Sequence, residues 1–287
     1  MENTMNFFGQ NAFTDKNLKK RVPKEVFKEF KLSQISEVEL TPRSAEVVAN
    51  AIKDWAIKRG ATHYSHWFHP LTDLTAEKHD SFLEPSSDEE IIYRFSGKNL
   101  IKGESDASSF PNGGLRSTFE ARGYTIWDTS SPPFIKENKN GATLYIPTAF
   151  ISYNGEALDK KVPLLRSMST INKHSLRILK ALGNTKSKNV FCTLGVEQEY
   201  FLVKRELFEK REDLLLTGRT LFGAPAPKGQ ELSDHYFGKI KETVINFMSD
   251  LDIELWKVGI SSKTRHNEVA PNQFEIASLF SIANLAS

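Results

Sequence analysis

Two glutamates one residue apart, Glu197 and Glu199, stand in the stretch 195-GVEQEYFLV-203. In a strand alternate side chains share a face, so both carboxylates point one way and Gln198 and Tyr200 the other. Like charges that close repel, and burying them unpartnered is costly. A second acidic pair follows in 265-RHNEVAPNQFEIA-277, where Glu268 and Glu275 are seven apart in another β-like run. Pro271 cannot donate to a ladder, which predicts an edge or a bulge there. A bulge would re-aim Glu275 onto the face of Glu268. Four carboxylates from two strands would then converge. Hard divalent cations such as Mg2+ or Mn2+ take oxygen ligands, and one among these glutamates would offset their repulsion. The plainer reading is a solvent-facing strand. The apolar flanks Val196, Tyr200, Phe201, Leu202 and Val203 fall on both faces and predict burial, so the residues alone leave both readings open.

Several elements must position these residues. From residue 189 the pattern predicts a strand over 190–203 and then a loop containing 222-FGAPAPKGQ-230. A helix over about 233–250 follows, with Tyr236, Ile240, Val244 and Phe247 inward, then a strand over 253–258 and an apolar segment over 269–280. That order suggests a mixed α+β layer. Upstream, Leu164, Leu165, Met168, Ile171, Leu176, Leu179 and Leu182 stripe a helix over 163–182 that Gly183 ends and that joins two domains. Residues 85–155 alternate short β-like runs (91–95, 143–145, 149–153) with Gly, Pro, Ser and Asp, as a loop-rich sheet domain does. Thr41-Pro42 reads as the N-cap and first turn of a helix with Val48, Ile52 and Trp55 inward, stopped by Gly60.

Composition bounds the rest. The chain has 287 residues, 39% of them hydrophobic and 20 of them Phe, enough for a sizeable core. Its 38 basic and 36 acidic residues leave a net charge of +2, which argues against a nucleic-acid or acidic-membrane binder. Cys192 is the single cysteine, so no intrachain disulfide or cysteine zinc cluster can form, and a reducing cytoplasm is expected. The start MENTMNFFGQNAF lacks a basic-then-apolar pattern, and no apolar run reaches the roughly 18–20 residues that span a bilayer. The basic run Lys19, Lys20, Arg21 and Lys24 reads as a solvated arm. His63, His66 and His69, interleaved with Tyr64, Trp67 and Phe68, read as packing histidines rather than ligands.

The two acidic segments, in this order, resemble glutamine synthetase. GVEQEYFLV is similar to the family's G-x-E-x-E-F/Y-F-L-F strand, and HNEVAPNQFEI to its H-x-E-V-A-x-G-Q-x-E segment. The stretches 63-HYSHWFHPLTDLTAEKHDSF-82, 114-GLRSTFEARGYTIWD-128, 147-PTAFISYNGEALDKKVPLLRSM-168, 223-GAPAPKGQELSDHYFG-238 and 263-KTRHNEVAPNQFE-275 resemble the long type III enzymes of bacteria. The likeness runs from about residue 20 to 287.

The resemblance implies an α+β fold. Residues 1–84 would form a type III-specific helical region, 85–175 a small β-grasp-like domain, and 176–287 the first part of a catalytic domain. Glu199, Glu268 and Glu275 match the ligands of the metal near glutamate and ammonia, and Glu197 a ligand of the metal near the ATP phosphates. Asp106, in 106-DASSF-110, resembles the aspartate of a D-G-S-S loop that binds ammonium in a neighbouring subunit's site, with Ala107 replacing the glycine. Lys228 lies where a nucleotide-side loop is expected and could face phosphate. His266 reads equally as a substrate neighbour or a surface histidine. The implied reaction forms γ-glutamyl phosphate from ATP and glutamate, and ammonia displaces the phosphate, with Mg2+ or Mn2+ neutralising charge. A cytoplasmic homo-oligomer with sites between subunits is expected, without nucleic acid or membrane. The family's later histidine and arginines have no match in this sequence, so the chain alone is expected to be inactive. A non-catalytic assembly or regulatory module, or another carboxylate–amine ligase on the same scaffold, stays open.

Overall fold

A computed structural model describes residues 7–34, 39–69, 79–86, 88, 90–105 and 123–286. Contacts divide the chain into two compact units, residues 1–194 with 282–287, and residues 195–281. In chain order the elements are α1 (Asp15–Lys19), α2 (Lys24–Ser33), α3 (Pro42–Ile57), β1 (Ala61–Trp67), β2 (His79–Ser81), β3 (Leu83–Pro85), β4 (Ile91–Tyr93), α4 (Gly97–Ile101), β5 (Lys102–Ser105), β6 (Gly123–Trp127), β7 (Phe134–Asn138), β8 (Gly141–Ser152) and α5 (Lys161–Ala181). There follow β9 (Thr193–Leu194), β10 (Glu197–Phe201), α6 (Arg205–Phe208), α7 (Glu212–Thr217), a 3-10 turn (Glu231–Phe237), α8 (Glu242–Lys257), β11 (Ser262–Asn267), β12 (Gln273–Ser278), β13 (Ser281–Ile282) and α9 (Ala283–Ala286). The architecture mixes α and β. Among the described residues no helix is long and apolar enough to cross a membrane.

In the first unit α3 starts where the sequence placed it. Thr41 Oγ1 accepts from Ser44 N–H at 3.3 Å, Pro42 occupies the first turn, and Gly60 follows at φ +81°. The helix buries Val48, Ala49, Ile52, Trp55 and Ala56 against a sheet ordered β2-β1-β8-β6-β5, with Leu144 and Ile146 of β8 in the same core. The two runs expected at 143–145 and 149–153 are one strand. β8 passes through Pro147 because its antiparallel partners change there: β7 pairs with residues 141–145 and β6 with 148–152. Of the three histidines His66 is the one held in the packing, while His69 is exposed. His66 Nε2 lies 2.7 Å from the Asn99 carbonyl, and His69 meets Trp67 edge-on.

The second unit is a three-stranded antiparallel sheet, β10-β12-β11, with α8 on one face. Val244 and Met248 pack on Phe274, with Tyr200, Leu202 and Ile240 alongside. Three expectations change here. Residues 231–237 do not continue into a helix, because Leu232 and Ser233 take left-handed backbone at φ 59° and 53°. The strand expected at 253–258 is helical to Lys257. Val244, Met248, Leu251 and Leu255 keep helical spacing, and no breaker intervenes before Gly259 at φ +84°. The strand expected over 190–203 is two short pieces, β9 and β10.

Candidate metal centre

The glutamates gather on the sheet face turned away from α8. Glu199 on β10 stands directly opposite Glu275 on β12, and His266 on β11 stands opposite Glu275 from the other side. Glu197 faces Ala277, one strand repeat further along the same face. Glu268 lies just past β11, and its N–H donates to the Gln273 carbonyl at 2.9 Å. That bond extends the ladder register, so Glu268 shares the face of His266.

This arrangement corrects the reading of Pro271. Glu268 and Glu275 are not on one bulged strand but on the two arms of a hairpin. Pro271 lies in its turn, Asn272 takes φ +60°, and Gln273 N–H closes on the Ala270 carbonyl at 3.0 Å. Asn tolerates the left-handed region better than most residues, which suits it to that corner. The convergence of the carboxylates therefore comes from strand pairing.

Two overlapping groups of donors result. One oxygen each from Glu197, Glu199 and Glu275 lie within 4.8 Å of one another, as do donor atoms of His266, Glu268 and Glu275. Glu275 belongs to both. Burial divides them: Glu275 and Glu268 are 7% and 8% exposed, whereas Glu197 and Glu199 are exposed. The expected burial of that E-x-E pair is thus corrected. Its apolar neighbours Phe201 and Val203 are themselves exposed, so apolar flanks do not mark an inner strand here.

Glu268 is held from several sides. Tyr236 Oη donates to its carboxylate at 3.0 Å and Val269 N–H at 3.2 Å, while His235 Nδ1 lies 2.5 Å from its backbone carbonyl. Asn267 Nδ2 donates to the Gly238 carbonyl at 2.6 Å, fastening the 3-10 turn's far end to the same strand. Burial alone would raise the pKa of Glu268. The hydrogen bonds from Glu275, Tyr236 and Val269, with His266 nearby, outweigh it and lower the pKa. Glu275 goes the other way: burial, its hydrogen bond with Glu268 and the nearby Glu197 raise it against the pull of His266. The two neighbouring carboxyls are thus pushed in opposite directions, Glu268 down and Glu275 up. His266 Nδ1 lies 2.6 Å from the Asn267 carbonyl and can donate there, which leaves Nε2, 3.5 Å from Glu275, as an acceptor.

Two buried carboxylates, beside two further carboxylates and an imidazole nitrogen, are a donor set that a hard divalent cation fits. Of the other expected residues, Lys228 is ion-paired with Asp234 on the 3-10 turn and is exposed. Asp106 lies outside the described residues. The sequence reading missed Tyr236, taken for a helix's inner face, as well as His235 and Asn267. Nothing in the local pattern marks a turn that folds back 32 residues to reach Glu268.

Comparison with known proteins agrees with the chain's own motifs. A family model described as glutamine synthetase type III N terminal matches residues 4–167, and one described as glutamine synthetase, catalytic domain, matches residues 176–286. The type-3 glutamine synthetase of Dictyostelium discoideum is 50% identical over 281 residues, 98% of this chain and 38% of the relative. A glutamine synthetase of Bacteroides fragilis shows the same identity and coverage, and one of Butyrivibrio fibrisolvens is 42% identical over 282 residues, 39% of its length. The chain thus spans well under half the length of these relatives. By the span of both family models and the level of these identities, the chain belongs to the type III glutamine synthetase family.

Proposed function

We propose that this chain supplies the metal-holding part of a glutamine synthetase, which joins ammonia to glutamate at the expense of ATP through γ-glutamyl phosphate. The observation behind this reading is the cross-strand register that sets Glu199 and His266 on either side of Glu275, with Glu197 and Glu268 adjoining. In this reading Glu199, Glu268 and Glu275 hold a Mg2+ or Mn2+ ion near the glutamate and ammonia sites, and Glu197 serves an ion near the ATP phosphates. Bound cations would supply charge neutralisation for phosphoryl transfer.

The residues of this chain would do the remaining work. Tyr236 and Val269 N–H would keep Glu268 ionised and aimed. Asp106 would favour ammonium and take its proton, and Lys228, on leaving Asp234, would meet phosphate. Residues 85–175 would form a β-grasp-like domain that brings Asp106 to a neighbouring subunit in a cytoplasmic homo-oligomer. The exposed side of the cluster, at Glu197 and Glu199, would be closed by the rest of a full-length enzyme, so this chain alone would be inactive.

Calorimetric titration of the chain with Mn2+ and Mg2+ tests this reading. The wild type should release heat saturably, and the Glu199→Gln, Glu268→Gln double variant should not. Equal heats from both proteins would overturn the assignment.

A further inference from the structure

α5 is the longest helix among the described residues, with 21 residues, yet Val162 is its one buried side chain. Val162, Leu165, Leu176 and Leu179 fall on its more buried side, and a second apolar line runs beside them. Leu164, Met168, Ile171, Ile178 and Leu182, with Ser175 between, follow a strict alternation of four and three residues. That spacing is the two-position seam of a packed helix pair, sustained over almost three heptads. Exposure rises along it: Ile171 is 44% exposed, Ile178 61% and Leu182 79%. The positions flanking the seam are Leu165, Ser167, Asn172, His174, Leu179 and Ala181, none of them carrying a fixed charge. Arg177 Nη1 lies 2.9 Å from His174 Nδ1. By helical spacing Arg166, Lys173, Arg177 and Lys180 fall on the far side, while Lys161, at the line's N-terminal end, is ion-paired with the buried Asp128 at 3.2 Å.

We infer that this seam is the seat of an α-helix contributed by the part of the longer relatives that this chain does not span. Two observations choose that occupant. The matched relatives carry more than half of their length outside the 38% shared with this chain, so they hold ample sequence to cover the stripe. The seam's flanks are neutral, Lys161 at its start is paired with Asp128 and the other basic residues face away, which suits packing inside a fold and lacks the cationic rim that draws a helix onto an acidic membrane or an acidic partner. The inference rests on family membership and is independent of the metal reading.

The test co-expresses the tagged 287-residue chain with the complementary segment of the Bacteroides fragilis relative. The wild-type chain should retain that segment through affinity and size-exclusion steps. The double variant Ile171→Asp, Ile178→Asp should lose at least about tenfold of the retained segment. The outer-face variant Lys173→Ala, Lys180→Ala should retain it fully. Unchanged thermal unfolding of the Ile171→Asp, Ile178→Asp chain alone keeps the loss from reflecting misfolding, since these side chains are already exposed. Three results overturn the inference: no retention by the wild type, equal retention by the seam variant, or a wild-type dimer held through α5 that excludes the segment.

Discussion

Glu199 and Glu275 are direct cross-strand partners in the β10–β12 pair, two carboxylates set opposite each other at the centre of a three-stranded sheet. Sheets ordinarily avoid this, since like charges opposite one another destabilise the pairing. Glu199→Gln should therefore stabilise the cation-free chain slightly, by about 0.5 kcal/mol. It should also abolish most of the stabilisation that saturating Mn2+ gives the wild type, which for an ion at about 100 times its dissociation constant is roughly 2.7 kcal/mol. Thermal unfolding with and without Mn2+ reads both effects. A sheet that needs no ion would show the first effect without the second.

The opposed shifts of Glu268 and Glu275 give a pH signature. Glu275 is raised by burial and by Glu268, so the folded chain keeps a proton there at a pH where the unfolded chain has lost it. Its stabilising contribution is complete below the unfolded glutamate value, about 4.3, and is lost as pH rises through the raised folded value. Glu268 is lowered and acts in the opposite sense at more acidic pH. The cation-free chain should thus lose stability just above the ordinary glutamate range, and Mn2+ should remove that fall by taking the proton's place. Melting temperatures across pH 4–7, with Mn2+ and with a chelator, would show it. Glu275→Gln should flatten the cation-free profile.

Tyr236 aims Glu268 without being indispensable to the fold. It is 43% exposed, and its hydroxyl donates to the Glu268 carboxylate at 3.0 Å. Tyr236→Phe keeps the ring and removes the donor. Support of this kind around a ligand commonly changes metal affinity by 10–100-fold, so roughly a tenfold weaker Mn2+ affinity is expected. Unfolding free energy should change by less than about 1 kcal/mol. Calorimetry alongside denaturant titration separates the two.

The sequence disclosed what depends on neighbours along the chain. Thr41-Pro42 and Gly60 bounded α3, Gly183 ended α5 at φ +87°, and the E-x-E spacing put Glu197 and Glu199 on one face. What it hid depends on pairing across distance. The segment around Pro271 looked like one interrupted strand because an apolar run on either side of a proline does not say whether the chain bends or turns back; 270-APN-272 was the cue for turning back. Apolar neighbours of Glu197 and Glu199 suggested burial, but Phe201 and Val203 are exposed too, and composition cannot tell an inner strand from one with nothing over it. Tyr236 fitted a helical stripe in spacing alone. Its segment contains two left-handed residues that send it to Glu268 instead. Of the expected site residues, the four glutamates come together, Lys228 is engaged by Asp234, and Asp106 falls outside the described residues.

Asp159 offers a final prediction away from the cluster. It is fully buried between the end of β8 and the start of α5, where one carboxylate oxygen accepts from Phe150 N–H at 2.6 Å and the other from Val162 N–H at 2.8 Å. It therefore caps the helix and fixes the corner from which the exposed seam departs. Asp159→Ala leaves two buried N–H groups without these partners and should cost about 2–4 kcal/mol. Asp159→Asn keeps one acceptor but turns an amide N–H2 toward the other donor, so it should recover only part of that loss. Burial also raises the Asp159 carboxyl above its usual range, against the N–H bonds from Val162, Phe150 and Lys161 that pull it down. A raised carboxyl favours the folded state at low pH, and that contribution falls away as pH climbs from the ordinary aspartate value, near 3.9, through the raised one. Denaturant unfolding of the wild type should show this slope, and Asp159→Asn, which cannot titrate, should lack it. An unchanged slope in the asparagine variant would assign the pH dependence to another group.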